Sequence, residues 1–155
     1  MLEFFSSSAR VVNTKRCVNE CLEIALGDSN KNNVDLLIFN ASIGHDFNDI
    51  LSETKSLYPN ADVVAASCCG IIGKEGVSES MKDMGLMAVK GKDYALAEVD
   101  GIFGVNSYEK SVELAKSLKS QKDGINMIYF LASGIDINNS DVINAFESVF
   151  GEDVT

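Results

Sequence analysis

The chain contains no tryptophan, one proline (Pro59) and one histidine (His45), and it carries only 13 basic residues against 23 acidic ones. Each shortage excludes something. One proline leaves no polyproline linker. One histidine leaves a single conventional imidazole base for any catalytic reading. The formal net charge of −10, with no clustered Lys or Arg, repels phosphate-rich surfaces, so neither nucleic acid nor anionic membrane is an expected partner. No apolar run approaches the roughly 20 residues of a membrane span. The first residues, Met1-Leu2-Glu3-Phe4-Phe5, place no positive charge before the apolar ones, so no secretory leader is expected and a cytoplasmic location is. No C-x-x-C spacing occurs among Cys17, Cys21, Cys68 and Cys69, which argues against a zinc site or a thioredoxin-type motif. The expectation is four reduced thiols, no metal and no cofactor.

What is present is a core-forming composition. At 155 residues and 46% hydrophobic, the chain can bury a core and is not disordered. The pattern predicts an α/β fold: a single domain with a mixed sheet and helices packed on it. Leu2–Ser8 is expected as a first strand. Asn13 caps a helix whose apolar face is Val18, Cys21, Leu22 and Ala25, with Gly27 ending it. Residues 28–33 form a polar loop. An apolar strand follows from Val34. Asp46 caps a second helix with Phe47, Ile50, Leu51, Thr54, Leu57 and Tyr58 inward, closed by Pro59. Ala61–Ser67 is read as a buried strand. The order β-α-β-α-β favours parallel pairing. Gly70–Met81 reads as a loop or lid. Met84–Val89 and Tyr94–Val99, joined by residues 90–93, read as a hairpin, which Gly101–Gly104 extends with a bulge. Ser107 and Ser140 are the expected caps of two further helices, with Val112, Ala115 and Leu118 inward on the first. The second carries Val142, Ile143, Phe146, Val149 and Phe150 and ends at Gly151. Ile125–Ala132 is the expected buried strand between them.

The candidate site lies at strand ends. Three apolar runs end in small polar residues near glycine: one in Ser42, Gly44 and His45, one in Ser67, Cys68, Cys69 and Gly70, one in Ser133 and Gly134. In open α/β sheets ligands bind outside the carboxyl ends of strands. Ser42, His45, Ser67, Cys68, Cys69, Gly70 and Ser133 are therefore the expected ligand-binding residues, with Ser42, Ser67, Cys68 and Ser133 in one cleft. The rival reading is a cysteine-dependent hydrolase or transferase using Cys68 or Cys69 as nucleophile with His45 as base.

Two stretches carry a family resemblance: Asp35-Leu36-Leu37-Ile38-Phe39, and Tyr58-Pro59-Asn60-Ala61-Asp62-Val63-Val64-Ala65-Ala66-Ser67-Cys68-Cys69-Gly70-Ile71-Ile72 followed by a glycine-rich segment. Together they resemble the N-terminal FIST domain, a sensory domain of intracellular signal-transduction proteins. Gly70 matches the family pattern. Ala65 and Ala66 depart from it, standing where Gly and Cys or Ser are usual. The resemblance covers residues 1–155. It implies binding of a small molecule, amino-acid-like in character, coupled to a signalling output domain or protein, without catalysis; some members of the family are haem-binding gas sensors. It also implies a further strand after residue 155. On that expectation the domain is incomplete at its C-terminal end, and the exposed edge favours a homo-oligomer.

Overall fold

The computed structural model describes residues 1–27, 34–73, 76–132, 136–151 and 154. The chain divides into two compact units, residues 1–93 and 94–155. The expected polar loop 28–33 and the residues Ser133 and Gly134 lie outside the described residues.

The first unit begins with strand β1 (Glu3–Arg10) and helix α1 (Thr14–Leu26). The Asn13 side chain accepts from the Arg16 N–H and Gly27 leaves the helix at φ 53°, so both ends form as the sequence predicts. A left-handed φ favours glycine at that point. Strand β2 (Leu36–Ser42) is buried along nearly its whole length. Helix α2 (Phe47–Leu57) is capped by Asp46, whose carboxylate accepts from the N–H groups of Asn48 and Asp49. Its inward stripe is narrower than expected. Ile50 and Thr54 are buried, whereas Phe47, Leu51 and Leu57 face solvent.

Strand β3 (Asp62–Cys68) runs parallel to β2. Two short strands, β4 (Ile71–Gly73) and β5 (Gly76–Ser78), form an antiparallel hairpin where a loop was expected. Strand β6 (Asp83–Lys90) completes a four-stranded mixed sheet in the order β1-β6-β2-β3. β6 is antiparallel to β1 from Glu3↔Lys90 to Arg10↔Asp83, and antiparallel to β2 from Leu36↔Val89 to Ala41↔Met84.

This order corrects two expectations. A strand has two hydrogen-bonding edges, and both edges of β6 are taken, so Tyr94–Val99 cannot form a hairpin with it and adopts no strand. β3 lies at the edge of the sheet and is half exposed rather than buried.

The core lies between one face of the sheet and the helices. Ala9 of β1, Met84, Leu86 and Ala88 of β6, and Leu37, Phe39 and Ala41 of β2 pack against Cys17, Val18, Cys21, Leu22 and Leu26 of α1, with Ile50 of α2 and Ala61. The alternation places these strand residues on one side, as a period of two requires. Ser7 reaches the same face and donates to the Cys21 carbonyl at 2.7 Å.

The second unit contains a short 3-10 turn (Gly104–Asn106), helix α3 (Ser107–Gln121) and helix α4 (Asn139–Phe150). The caps differ from expectation. Ser107 is already helical; its hydroxyl donates to the Phe103 carbonyl at 2.7 Å and accepts from the Asn138 N–H at 3.0 Å. Asn138, not Ser140, caps α4, accepting from Ser140 and Asp141. Of the side chains expected inward, Ala115 and Val142 are buried, Ile143 is exposed, and Ser111, Leu114 and Ala145 join the buried set. Ile125–Ala132 forms no strand, and Met127 and Tyr129 are 63% and 56% exposed. Gly101–Gly104 forms no bulged strand arm.

Two substitutions test this architecture. Phe39 is fully buried, so Phe39→Ala is expected to cost roughly 3–5 kcal/mol. Asn13→Ala removes one capping acceptor and is expected to cost about 1 kcal/mol. Urea unfolding followed by circular dichroism measures both. A Phe39→Ala loss no larger than that of Asn13→Ala would contradict the placement of β2 at the centre of the core.

Candidate functional site

The carboxyl ends of β1, β2 and β3 point the same way, because β1 and β2 are both antiparallel to β6 and β3 is parallel to β2. The first residues of α1 and α2 and the β4–β5 hairpin follow these strand ends directly in sequence. This end of the sheet therefore gathers most of the residues singled out above.

Ser42 and Cys68 are register partners, and Ala41 pairs with Ser67. The expected convergence of the two strand ends is present at the backbone, but alternation separates the side chains. Ser42 and Cys68 lie on the face opposite the helices, and Ser67 lies on the helix side, where it is exposed. Ser42 is buried and donates to the Asp83 carbonyl at 3.0 Å. Burial pushes the Cys68 thiol above the usual cysteine range, against the opposing pull of the Gly70 backbone. Cys69 is exposed beyond the strand end. Gly70 stands where the hairpin returns: a Cβ there would come within 2.5 Å of the Ser78 carbonyl oxygen. The glycine is required by close backbone approach.

His45 is 6% exposed. Its Nδ1 lies 3.3 Å from Thr14 Oγ1, which also accepts from the Asp46 N–H at 3.2 Å. The first residue of α1 thus anchors the loop that starts α2. His45 Nε2 is buried with no partner among the described residues. The neighbouring Gly44 has no room for a side chain, since a Cβ would meet the Met81 carbonyl oxygen at 2.0 Å. Ser133 lies outside the described residues.

The four cysteines are free thiols. Cys17 and Cys21 are buried in the core, and the Cys21 thiol is pushed up by its hydrogen bond with Cys17 and by burial. Among the described residues no group of three metal-ligating side chains comes together.

A cleft of about 310 Å³ opens nearby, between β1 and the hairpin. Ser8, Ala9 and Arg10 form one wall; Ile71, Gly73, Gly76, Val77 and Ser78 form the other, with Asp83 at its base. Asp83 is 3% exposed. Its Oδ1 accepts from Arg10 Nε at 3.0 Å, and its Oδ2 accepts from Ser78 Oγ at 2.5 Å and from the Ser80 N–H at 2.7 Å. Arg10 Nη2 also reaches Ser78 Oγ. Burial works to raise the Asp83 pKa. The bonds from Ser78, Arg10 and Ser80, with the Arg10 charge, outweigh it and hold the carboxyl below its usual value.

The hairpin wall falls within the segment read from the sequence as a loop or lid, but Arg10 and Asp83 were not singled out. Arg10 is one of only two arginines, and its place at the end of the first strand is the one signal available. Asp83 reads in sequence as an ordinary polar residue before an apolar run.

A family model for the FIST N domain matches residues 35–155. The chain belongs to this family. FIST domains are signal-transduction sensory domains, and the matched region includes β2, the Ser67–Gly70 segment and the hairpin. No curated protein matches the sequence. Among the described residues, no helix of this FIST domain is long and apolar enough to cross a membrane.

The Asp83 clamp makes a pH-dependent prediction. Because the folded carboxyl titrates below its ordinary value of 3.8, its stabilising contribution is fully present above that pH and is lost as pH falls through the lower folded value. Asp83→Asn is expected to cost about 2 kcal/mol at pH 7. The difference in Tm between wild type and variant should narrow as pH is lowered past 3.8. A gap that stays constant from pH 7 to pH 2.5 would show that the ionised carboxylate is not what holds the hairpin.

Proposed function

We propose that this FIST domain senses a small, amino-acid-like ligand in the cytoplasm and passes the binding event to a signalling output domain or protein, without catalysing a reaction. The observation that carries this reading is the cleft between the carboxyl end of β1 and the hairpin, of a volume at the lower end of small-molecule pockets. It lies in a member of a sensory family. Small-molecule sites in open α/β folds occupy this end of the sheet. None of Ser42, His45, Cys68, Cys69 and Gly70 lines the cleft; Ser42 supports it from β2 by donating to the Asp83 carbonyl, and Gly70 leads into the hairpin that forms one wall. In this reading they and Ser67 belong to the surrounding end of the sheet and do not contact the ligand through the cleft lining itself. The acidic surface suits a soluble ligand and not a polyanion. A homo-oligomer is the accompanying proposal; the outer edges of β1 and β3 have no strand partner among the described residues.

A thermal-shift screen against the common amino acids, nucleotides and haem tests the sensory reading. A ligand present at about 100 times its Kd should stabilise the domain by about 2.7 kcal/mol. For a chain of this size that raises Tm by roughly 5–10 °C. Absence of any shift across the whole panel would count against it.

The rival thiol-enzyme reading makes a different prediction. In a Cys69→Ser variant the remaining thiols are Cys68 and the two buried ones. With its pKa raised by burial, Cys68 is expected to react with iodoacetamide more slowly than free cysteine at pH 7.5, and faster as pH rises. Rapid stoichiometric labelling at neutral pH would instead favour a nucleophilic Cys68.

A further inference from the structure

Resting on the sensory reading, the structure yields a more specific statement about ligand chemistry. We propose that the cleft between β1 and the hairpin recognises a monocarboxylate with a short aliphatic body, and that Arg10 binds its carboxylate.

A guanidinium offers five N–H donors in a fixed plane, arranged as two forks. In Arg10 one fork is spoken for: Nε donates to Asp83 and Nη2 to Ser78. The other fork, Nη1 and the second N–H of Nη2, has no acceptor among the described residues. The Arg10 side chain is 59% exposed and lines the cleft. Two parallel N–H groups of this kind match a planar carboxylate in bidentate geometry.

The engaged fork matters as much as the free one. Asp83 is buried and itself anchored by Ser78 and the Ser80 N–H, so it holds the guanidinium plane before any ligand arrives. Less rotamer freedom is then lost on binding. Asp83 is a positioning residue in this arrangement.

The rest of the lining sets the size and charge of the ligand. The Ser8 hydroxyl lines the same wall and has no hydrogen-bond partner among the described residues. It can donate to a carboxylate oxygen. Ile71 and Val77 on the hairpin supply an apolar surface for an aliphatic body, and Gly73 and Gly76 leave the space open. A Cβ at Gly73 would lie 2.3 Å from Ser8 Oγ, so a larger residue there would collide with that wall. Among the described lining residues Arg10 is the only cation, and Asp83 already offsets its charge. A monoanion fits this balance and a phosphate dianion does not.

The test uses three probes of matched size: propionate, L-alanine and propylamine. The Arg10 Nε–Hε resonance of the ¹⁵N-labelled full chain is followed during each titration. Propionate and L-alanine are expected to move it in a saturable way, and propylamine is not. Arg10→Gln should weaken both carboxylates by at least about tenfold, and Ser8→Ala by a smaller factor, with an unchanged fold by circular dichroism. The proposal is overturned if Arg10→Gln binds propionate as well as wild type, if propylamine moves the resonance as propionate does, or if neither carboxylate at 100-fold molar excess and upward moves it at all. Should Arg10→Gln fail to fold, the wild-type resonance and Ser8→Ala still decide the matter. The sensory reading fails separately: it falls only if no compound of the wider screen raises Tm, whereas a stabilising compound that leaves Arg10 unmoved removes this proposal alone.

Discussion

A buried carboxylate needs partners, and that requirement organises one end of the first unit. Removing an ionised carboxylate from water costs several kcal/mol unless hydrogen bonds replace the lost hydration. Asp83 obtains them from three separate stretches of chain: β1 through Arg10, β5 through Ser78, and the turn before β6 through the Ser80 N–H. Its backbone carbonyl adds a fourth, by accepting from Ser42 of β2. The hairpin strands are three residues long, too short to be stable as an isolated pair. The carboxylate therefore supplies what the hairpin lacks. The same contacts shape the cleft, since its two walls are the segments that Asp83 joins.

The glycines at this end act in the opposite sense, by permitting approach where Asp83 compels it. Gly70 lets the hairpin return against the Ser78 backbone, and Gly44 lets the turn at Met81 cross the loop that leads into α2. Above that loop, Thr14 ties His45 and Asp46 to the start of α1. Strand ends, helix starts and hairpin are thereby held by contacts between neighbours, with small residues at each point of closest passage. Such a frame suits a site that must keep its geometry when empty.

Local signals in the sequence were readable where a single residue decides the outcome. Asn13, Gly27, Asp46 and Gly151 sit at the helix ends they were expected to occupy, because capping chemistry acts within one turn. The buried face of α1 was also legible, and β2 was recognisable as a buried run. Pairing was not. Met84–Val89 looked like one arm of a local hairpin, yet its partners are β1 and β2, which lie far earlier in the chain. No local pattern reports a partner at that distance. Ile125–Ala132 shows why apolar content alone misleads, since a run of that length suits an exposed connector as well as a strand. At α4, Asn138 and Ser140 are both competent caps, and only the structure separates them. The candidate site divides along the same line. The strand ends Ser42 and Cys68 could be placed together from the α/β pattern. The pairing of Arg10 with Asp83 could not, because 73 positions separate them and neither belongs to a motif.

The position of β6 also governs how the sheet can assemble. It is the last of the four strands in sequence and the only one that touches both β1 and β2. Until residues 83–90 have emerged from the ribosome, β1 has no partner strand, and β2 can pair only with β3. An N-terminal fragment ending before β6 thus holds an orphaned strand and an unfilled slot in its sheet. Closing that slot requires two long-range pairings to form together, a step that raises contact order and slows folding. A nascent chain stalled at this stage exposes unpaired edges to its neighbours. The central strand is therefore the commitment step for the whole unit during synthesis.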